Sequence, residues 1–115
     1  MSIESLRSQH CRPRKGKENR LDADAIAAHL ENLSGWTKSG EGDAIAKEFR
    51  FDDYFHTMAF VNAVASIAHR EDHHPDLAVG YSKCRVRYST HDVDGLSLND
   101  FICAAKVEDI VTASR

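Results

Sequence analysis

The sequence predicts an α+β fold, a four-stranded antiparallel sheet with three helices packed on one face. Two observations carry this. Stretches with a residue period of two come in adjacent pairs joined by turn-forming residues, as hairpins require. Stretches with a helical period lie before, between and after those pairs, so the order reads helix, strand, strand, helix, strand, strand, helix. A length of 115 residues suits one domain with a small core.

Taken in order, residues 1–20 come first, with six Lys/Arg against two Asp/Glu, a net of +4. The remaining residues, 21–115, carry nine Lys/Arg against sixteen Asp/Glu, a net of −7, and the two sums give the overall −3. The basic run Arg12-Pro13-Arg14-Lys15-Gly16-Lys17 has no apolar period, so residues 1–20 read as a disordered arm ahead of a single domain, 21–115. Asp22 or Asp24 can cap a first helix bearing Ile26, Ala27, Leu30 and Leu33, closed by Ser34-Gly35. Trp36 opens an extended segment, and residues 38–43 read as a hairpin turn. Ile45, Lys47, Phe49 and Phe51 then alternate with Ala46, Glu48 and Arg50, a strand with one buried face.

Asp52 or Asp53 caps a long central helix running to about Asp72. It bears two adjoining apolar stripes, Tyr54, Met58, Val61, Ala65 and Ala68 in one and Phe60, Val64 and Ile67 in the other. Together they cover more arc than one sheet contact requires, so the surplus suits either a partner helix from another subunit or a helix buried deep in its own core. Pro75 forbids helix and pushes His74 toward extended geometry. Leu77, Val79 and Tyr81 suggest a short strand, and Cys84, Val86 and Tyr88 a further one. Ser97-Leu98-Asn99-Asp100 resembles a capping box with an acid in place of the usual Glu or Gln, opening a last helix with Phe101, Ile102, Ala105 and Ile110.

Composition excludes several classes. No apolar run approaches the ~20 residues of a membrane span, and the start lacks the apolar stretch of a secretory signal. The acidic body argues against nucleic acid as a direct ligand. Cys11, Cys84 and Cys103 form no CxxC pair and are odd in number, which favours free thiols in a reducing, cytoplasmic compartment. Glu4 and Glu18 count against an organellar transit peptide.

The chemistry concentrates in histidines. His73 and His74 precede Pro75, and His91 follows a strand and stands nine residues before Asp100. A metal reading has His69 and His73 at i and i+4 on a helix end, but Arg70 stands where a metalloprotease needs Glu. A structural reading has His73 and His74 closing a helix end, favoured by its dipole. A third reading is metal-free proton transfer, in which imidazoles divide the roles of acid and base and Asp100 orients one ring. His29 and His56 read as solvated helix positions.

At these residues the sequence resembles the pterin-4a-carbinolamine dehydratases. The family pattern is an ionisable residue, three spacers, His-His-Pro, an aromatic six residues on, then a later His and a closing Asp. Here these fall at His69, His73-His74-Pro75, Tyr81, His91 and Asp100, with Trp36 and residues 49–54 resembling the upstream half. The resemblance covers residues 21–112 and implies the fold above. It implies dehydration of 4a-hydroxytetrahydropterin to quinonoid dihydropterin in tetrahydrobiopterin recycling, with His73, His74 and His91 catalytic and Asp100, His69, Pro75 and Tyr81 supporting or binding substrate. It implies pterin as substrate, no metal or cofactor, and a homodimer or homotetramer joined through the central helix, residues 54–72. His69 stands where the family often has Glu, and Leu77 where it often has a large aromatic. The alternative on the same fold is a non-catalytic partner-binding module, such as a coactivator or assembly factor.

Overall fold

The computed structural model of the chain describes residues 1–113. It contains helices α1 (Ile3–Arg7), α2 (Ala23–Leu30), α3 (Tyr54–Glu71) and α4 (Leu98–Ala113), and strands β1 (Thr37–Ser39), β2 (Ala44–Arg50), β3 (Asp76–Val79) and β4 (Lys83–Tyr88). The strands form one antiparallel sheet in the order β1-β2-β4-β3. The two hairpins therefore meet along β2 and β4, where Ile45, Lys47 and Phe49 face Tyr88, Val86 and Cys84. On β4 these residues alternate with Lys83, Arg85 and Arg87, because successive side chains leave a strand on opposite faces. Ile45, Phe49, Cys84, Val86 and Tyr88 are buried against Phe60, Val64 and Ile67 of α3 and Phe101, Ile102 and Ala105 of α4.

The predicted α+β sheet is present with one helix more than expected. The extra helix, α1, lies in the segment that composition reads as disordered. Ser2 caps it by accepting from the Ser5 N–H, and Leu6 is fully buried in the core. Arg7 donates to the Ala105 carbonyl at 3.2 Å, and Lys106 donates to the Arg7 carbonyl at 2.8 Å. Two apolar residues one turn apart, Ile3 and Leu6, anchor the segment, so its high charge does not keep it in solvent.

Other elements follow local signals. Asp22 rather than Asp24 caps α2, and Asp53 rather than Asp52 caps α3, each accepting a backbone N–H three residues on. Leu33 lies past α2, buried in the turn that Gly35 closes at φ 85°. Lys47 is tolerated on the core-facing side of β2 because its ammonium reaches Glu108 Oε1, which also accepts the Trp36 indole N–H at 2.8 Å. On α3, Phe60, Val64 and Ile67 face the core, while Tyr54 and Ala65 are exposed and Met58 and Val61 are half-buried. Val61 packs against the core from its edge.

Candidate active site

Two turns and a helix start converge on one buried carboxylate. The first turn ends α3. Asp72 takes the left-handed conformation, φ 50°, and the His73 N–H reaches back to the Ala68 carbonyl at 3.2 Å, the Schellman pattern. Pro75 then sends the chain into β3. The second turn follows β4. Thr90 and Gly95 pair across it, and His91–Val93 form one 3-10 turn closed by Asp94 at φ 55°. The helix start is that of α4, where the Ser97 N–H donates to Asp100 Oδ2 at 2.9 Å, so the expected capping contact is formed.

Asp100 is fully buried. Its Oδ1 lies 2.6 Å from His73 Nε2, and its Oδ2 accepts from Thr90 Oγ1 at 2.7 Å as well as from Ser97. A buried carboxylate is costly unless its lone pairs are filled, and three donors fill them here. The directions follow. The Thr90 hydroxyl donates to Asp100, so the Ser97 hydroxyl, 2.7 Å away, donates to Thr90. The His73 ring donates through Nε2, which in the neutral ring leaves the lone pair on Nδ1. The ring lies nearly parallel to Tyr88, 8° apart with centroids at 5.8 Å.

One carboxylate thus holds both histidine-bearing segments. His74 follows the residue bonded to Oδ1, and His91 follows the residue bonded to Oδ2. Both are exposed, whereas the His73 side chain is only 12% exposed. His69 is exposed on the last turn of α3, and Pro75 is half-buried. Tyr81 is not brought to this cluster. It lies in the turn beyond β3, at the opposite end of that strand from Pro75, where its carbonyl accepts from the Thr57 hydroxyl at 2.9 Å. There it stacks on Tyr54, 68% exposed. Among the described residues, no group of three or more His, Cys, Asp or Glu side chains is placed to hold a metal ion.

The remaining histidines differ from expectation in part. His56 is exposed but bonded to its cap, Asp53, at 2.6 Å. His29 is half-buried against Phe101 at 4.9 Å, and its Nδ1 has no hydrogen-bond partner among the described residues. Burial, with the nearby amino terminus, pushes its pKa down, the neutral ring being favoured. Sequence reading also passed over Thr90, whose hydroxyl fills Asp100. Its only local signal is a hydroxyl side chain at a strand end ten residues from the acid.

A cavity of about 420 Å³ lies apart from this site, between the start of α3 and the end of α4, with Phe51, His56, Phe60 and Val111 in its wall. Its one histidine is the ring already tied to Asp53, and it has no buried carboxylate.

Comparison with known proteins gives the family. The family model for pterin 4 alpha carbinolamine dehydratase matches residues 19–110. A Xanthomonas oryzae protein provisionally named pterin-4-alpha-carbinolamine dehydratase is 58% identical over 101 residues, covering 88% of this chain and 86% of that one. A Stenotrophomonas maltophilia protein with the same provisional name is 57% identical, covering 88% and 87%. A crystal structure from Brucella melitensis, described as a transcriptional coactivator/pterin dehydratase, superposes with a TM-score of 0.77 at 32% identity, covering 80% of this chain and 98% of that one. A pterin dehydratase-like protein identified as a RuBisCO assembly factor shares the fold, with a TM-score of 0.58 at 22% identity over 66% of this chain and 88% of that one.

Proposed function

Because the chain belongs to the pterin 4 alpha carbinolamine dehydratase family, we propose that it dehydrates 4a-hydroxytetrahydropterin to quinonoid dihydropterin and water, in tetrahydrobiopterin recycling. The observation that carries the reading is the Asp100 carboxylate, which ties the His73 and His91 segments together. In this reaction the carbon–oxygen bond breaks, an acid protonates the departing hydroxyl, and a base takes a ring N–H proton. Exposed His74 and His91 can reach a substrate arriving from solvent and divide those roles. His73, oriented by Asp100, completes the set, with its tautomer selected by the carboxylate. His69 and Pro75 border it. Proton transfer of this kind draws on no metal or bound cofactor.

The test is a stopped-flow dehydration assay on 4a-hydroxytetrahydropterin before and after dialysis against a chelator. Rapid dehydration unaffected by dialysis supports the reading. Stoichiometric zinc with activity lost on its removal would replace it with a metal site at His69, His73 and His91.

A partner-binding role on the same fold has one observation in its favour, the exposed aromatics Phe55 and Tyr81, 76% and 68% accessible. A second copy of the chain can also use that surface, so we assign the protein a homo-oligomer, dimer or tetramer, joined through residues 54–72.

A further inference from the structure

Resting on the dehydratase reading, we propose that residues 10–21 form a strap that positions the catalytic histidines, with Asn99 and Glu71 as the positioning residues that hold it. The family match begins at residue 19, so most of the strap lies outside it.

Among the described residues, the hydrogen bonds this segment makes to the body go to the three parts of the chain that carry the site. At the end of α3, the Cys11 N–H donates to Glu71 Oε1 at 2.7 Å, and His10 Nδ1 lies 2.9 Å from Glu71 Oε2. At the start of α4, Asn99 uses both ends of its amide. Its Oδ1 accepts the Arg12 N–H at 3.3 Å and the Arg14 Nε–H at 2.9 Å, and its Nδ2 donates to the Arg12 carbonyl at 2.7 Å. Cys11 Sγ packs beside them, 3.6 Å from the Asn99 carbonyl and 3.5 Å from Cys103 Sγ. At the His91 turn, the Gly16 N–H donates to the Asp92 carbonyl at 3.2 Å, Arg20 to the Asp94 carbonyl at 3.4 Å, and the Leu21 N–H to the Leu96 carbonyl at 2.8 Å. Gly95 has no side chain where Arg20 crosses, since a Cβ there would come within 2.7 Å of Arg20 Cδ.

The placement is specific. Glu71 stands two residues before His73, Asn99 one before Asp100, and Asp92 one after His91. Glu71 and Asn99 are buried, at 8% and 5% exposure, so their bonds are shielded from competing water. Burial pushes the Glu71 carboxyl up, but the Cys11 N–H, the His10 ring and the Lys106 ammonium together outweigh it and hold the group below its usual range. Each histidine turn contains a left-handed Asp, Asp72 or Asp94, and such turns need support from their surroundings to stay in place. Two carbonyls of the His91 turn and the last side chain of α3 receive that support from the strap.

The test uses the full-length chain. Asn99→Ala removes all three amide hydrogen bonds, and Asn99→Asp restores the acceptor for the Arg12 N–H and for Arg14. Leu33→Ala, a buried core site whose backbone bonds go to Leu30 and Trp36 and not to the strap, serves as a control that lowers Tm by loss of packing alone. Asn99→Ala is expected to lower kcat by about tenfold with KM within about twofold, since small misplacements of reacting groups are costly. Asn99→Asp should recover most of that loss, and Leu33→Ala should keep the wild-type kcat at a temperature where it is folded. An unchanged kcat in Asn99→Ala, or an equal loss in Leu33→Ala, overturns the strap. If the wild type performs no dehydration, the dehydratase reading fails, and the strap is judged by NMR instead. The His73 ring proton bonded to Asp100 should broaden in Asn99→Ala, and an unchanged signal overturns the strap.

Discussion

Asp100 shows how a single side chain can at once cap a helix and hold a distant ring. Its Oδ2 caps α4 through the Ser97 N–H, and its Oδ1 holds the His73 ring. The capping role was legible in the sequence from Ser97-Leu98-Asn99-Asp100 alone, because capping depends on neighbours three residues apart. The bond to His73 spans 27 residues and no local pattern encodes it. Tyr88 presents the opposite case. Its ring is buried between His73 and Trp36, yet its hydroxyl has no hydrogen-bond partner among the described residues. Burial, then the nearby Cys103, Cys11 and Asp100, push the phenol pKa up, so the group stays neutral. An unpaired buried hydroxyl contributes no bond to lose. Tyr88→Phe should therefore be neutral or stabilising by up to about 1 kcal/mol. Urea denaturation measures this, and a loss well beyond that size would mean the hydroxyl has a partner in solution.

At the level of elements, the strands and long helices were legible because their period and caps are local. Asp53, Asp22 and Ser97 all mark helix starts, and Pro75 marks an end. What the sequence concealed depends on distant contacts. Charge in residues 1–20 predicts solvation, whereas Leu6 is buried and Asn99 grips Arg12 and Arg14. The spacing of Ile3 and Leu6 behind Ser2 was the available signal. The end of α3 gives a direct test of element geometry. Asp72 is left-handed, which Asp tolerates and β-branched residues resist. Asp72→Val should cost on the order of 1–2 kcal/mol, while Asp72→Gly should match or exceed the wild type. Thermal melts of the pair distinguish backbone strain from loss of the carboxylate. If Gly costs as much as Val, the side chain matters and the left-handed turn does not.

For the whole molecule, the sequence left open which stripe of α3 faces outward. The structure turns Phe60, Val64 and Ile67 inward and leaves Ala65 and Tyr54 exposed. Ala65→Glu should therefore leave the single chain folded. It should split an oligomer packed on this face, because a charge buried without a partner is costly. Sedimentation at micromolar concentration reads the result, and a monomeric wild type would assign the outer face of α3 to solvent. In the proposed reaction, a carboxylate-anchored pair of histidine segments performs the dehydration. Its most direct test is the dehydration rate of 4a-hydroxytetrahydropterin measured side by side for wild type, His74→Ala and Asp100→Asn. Rapid turnover by the wild type and a loss of about 10²–10⁴-fold in each folded variant are expected. Variants that match the wild-type rate would contradict the proposal.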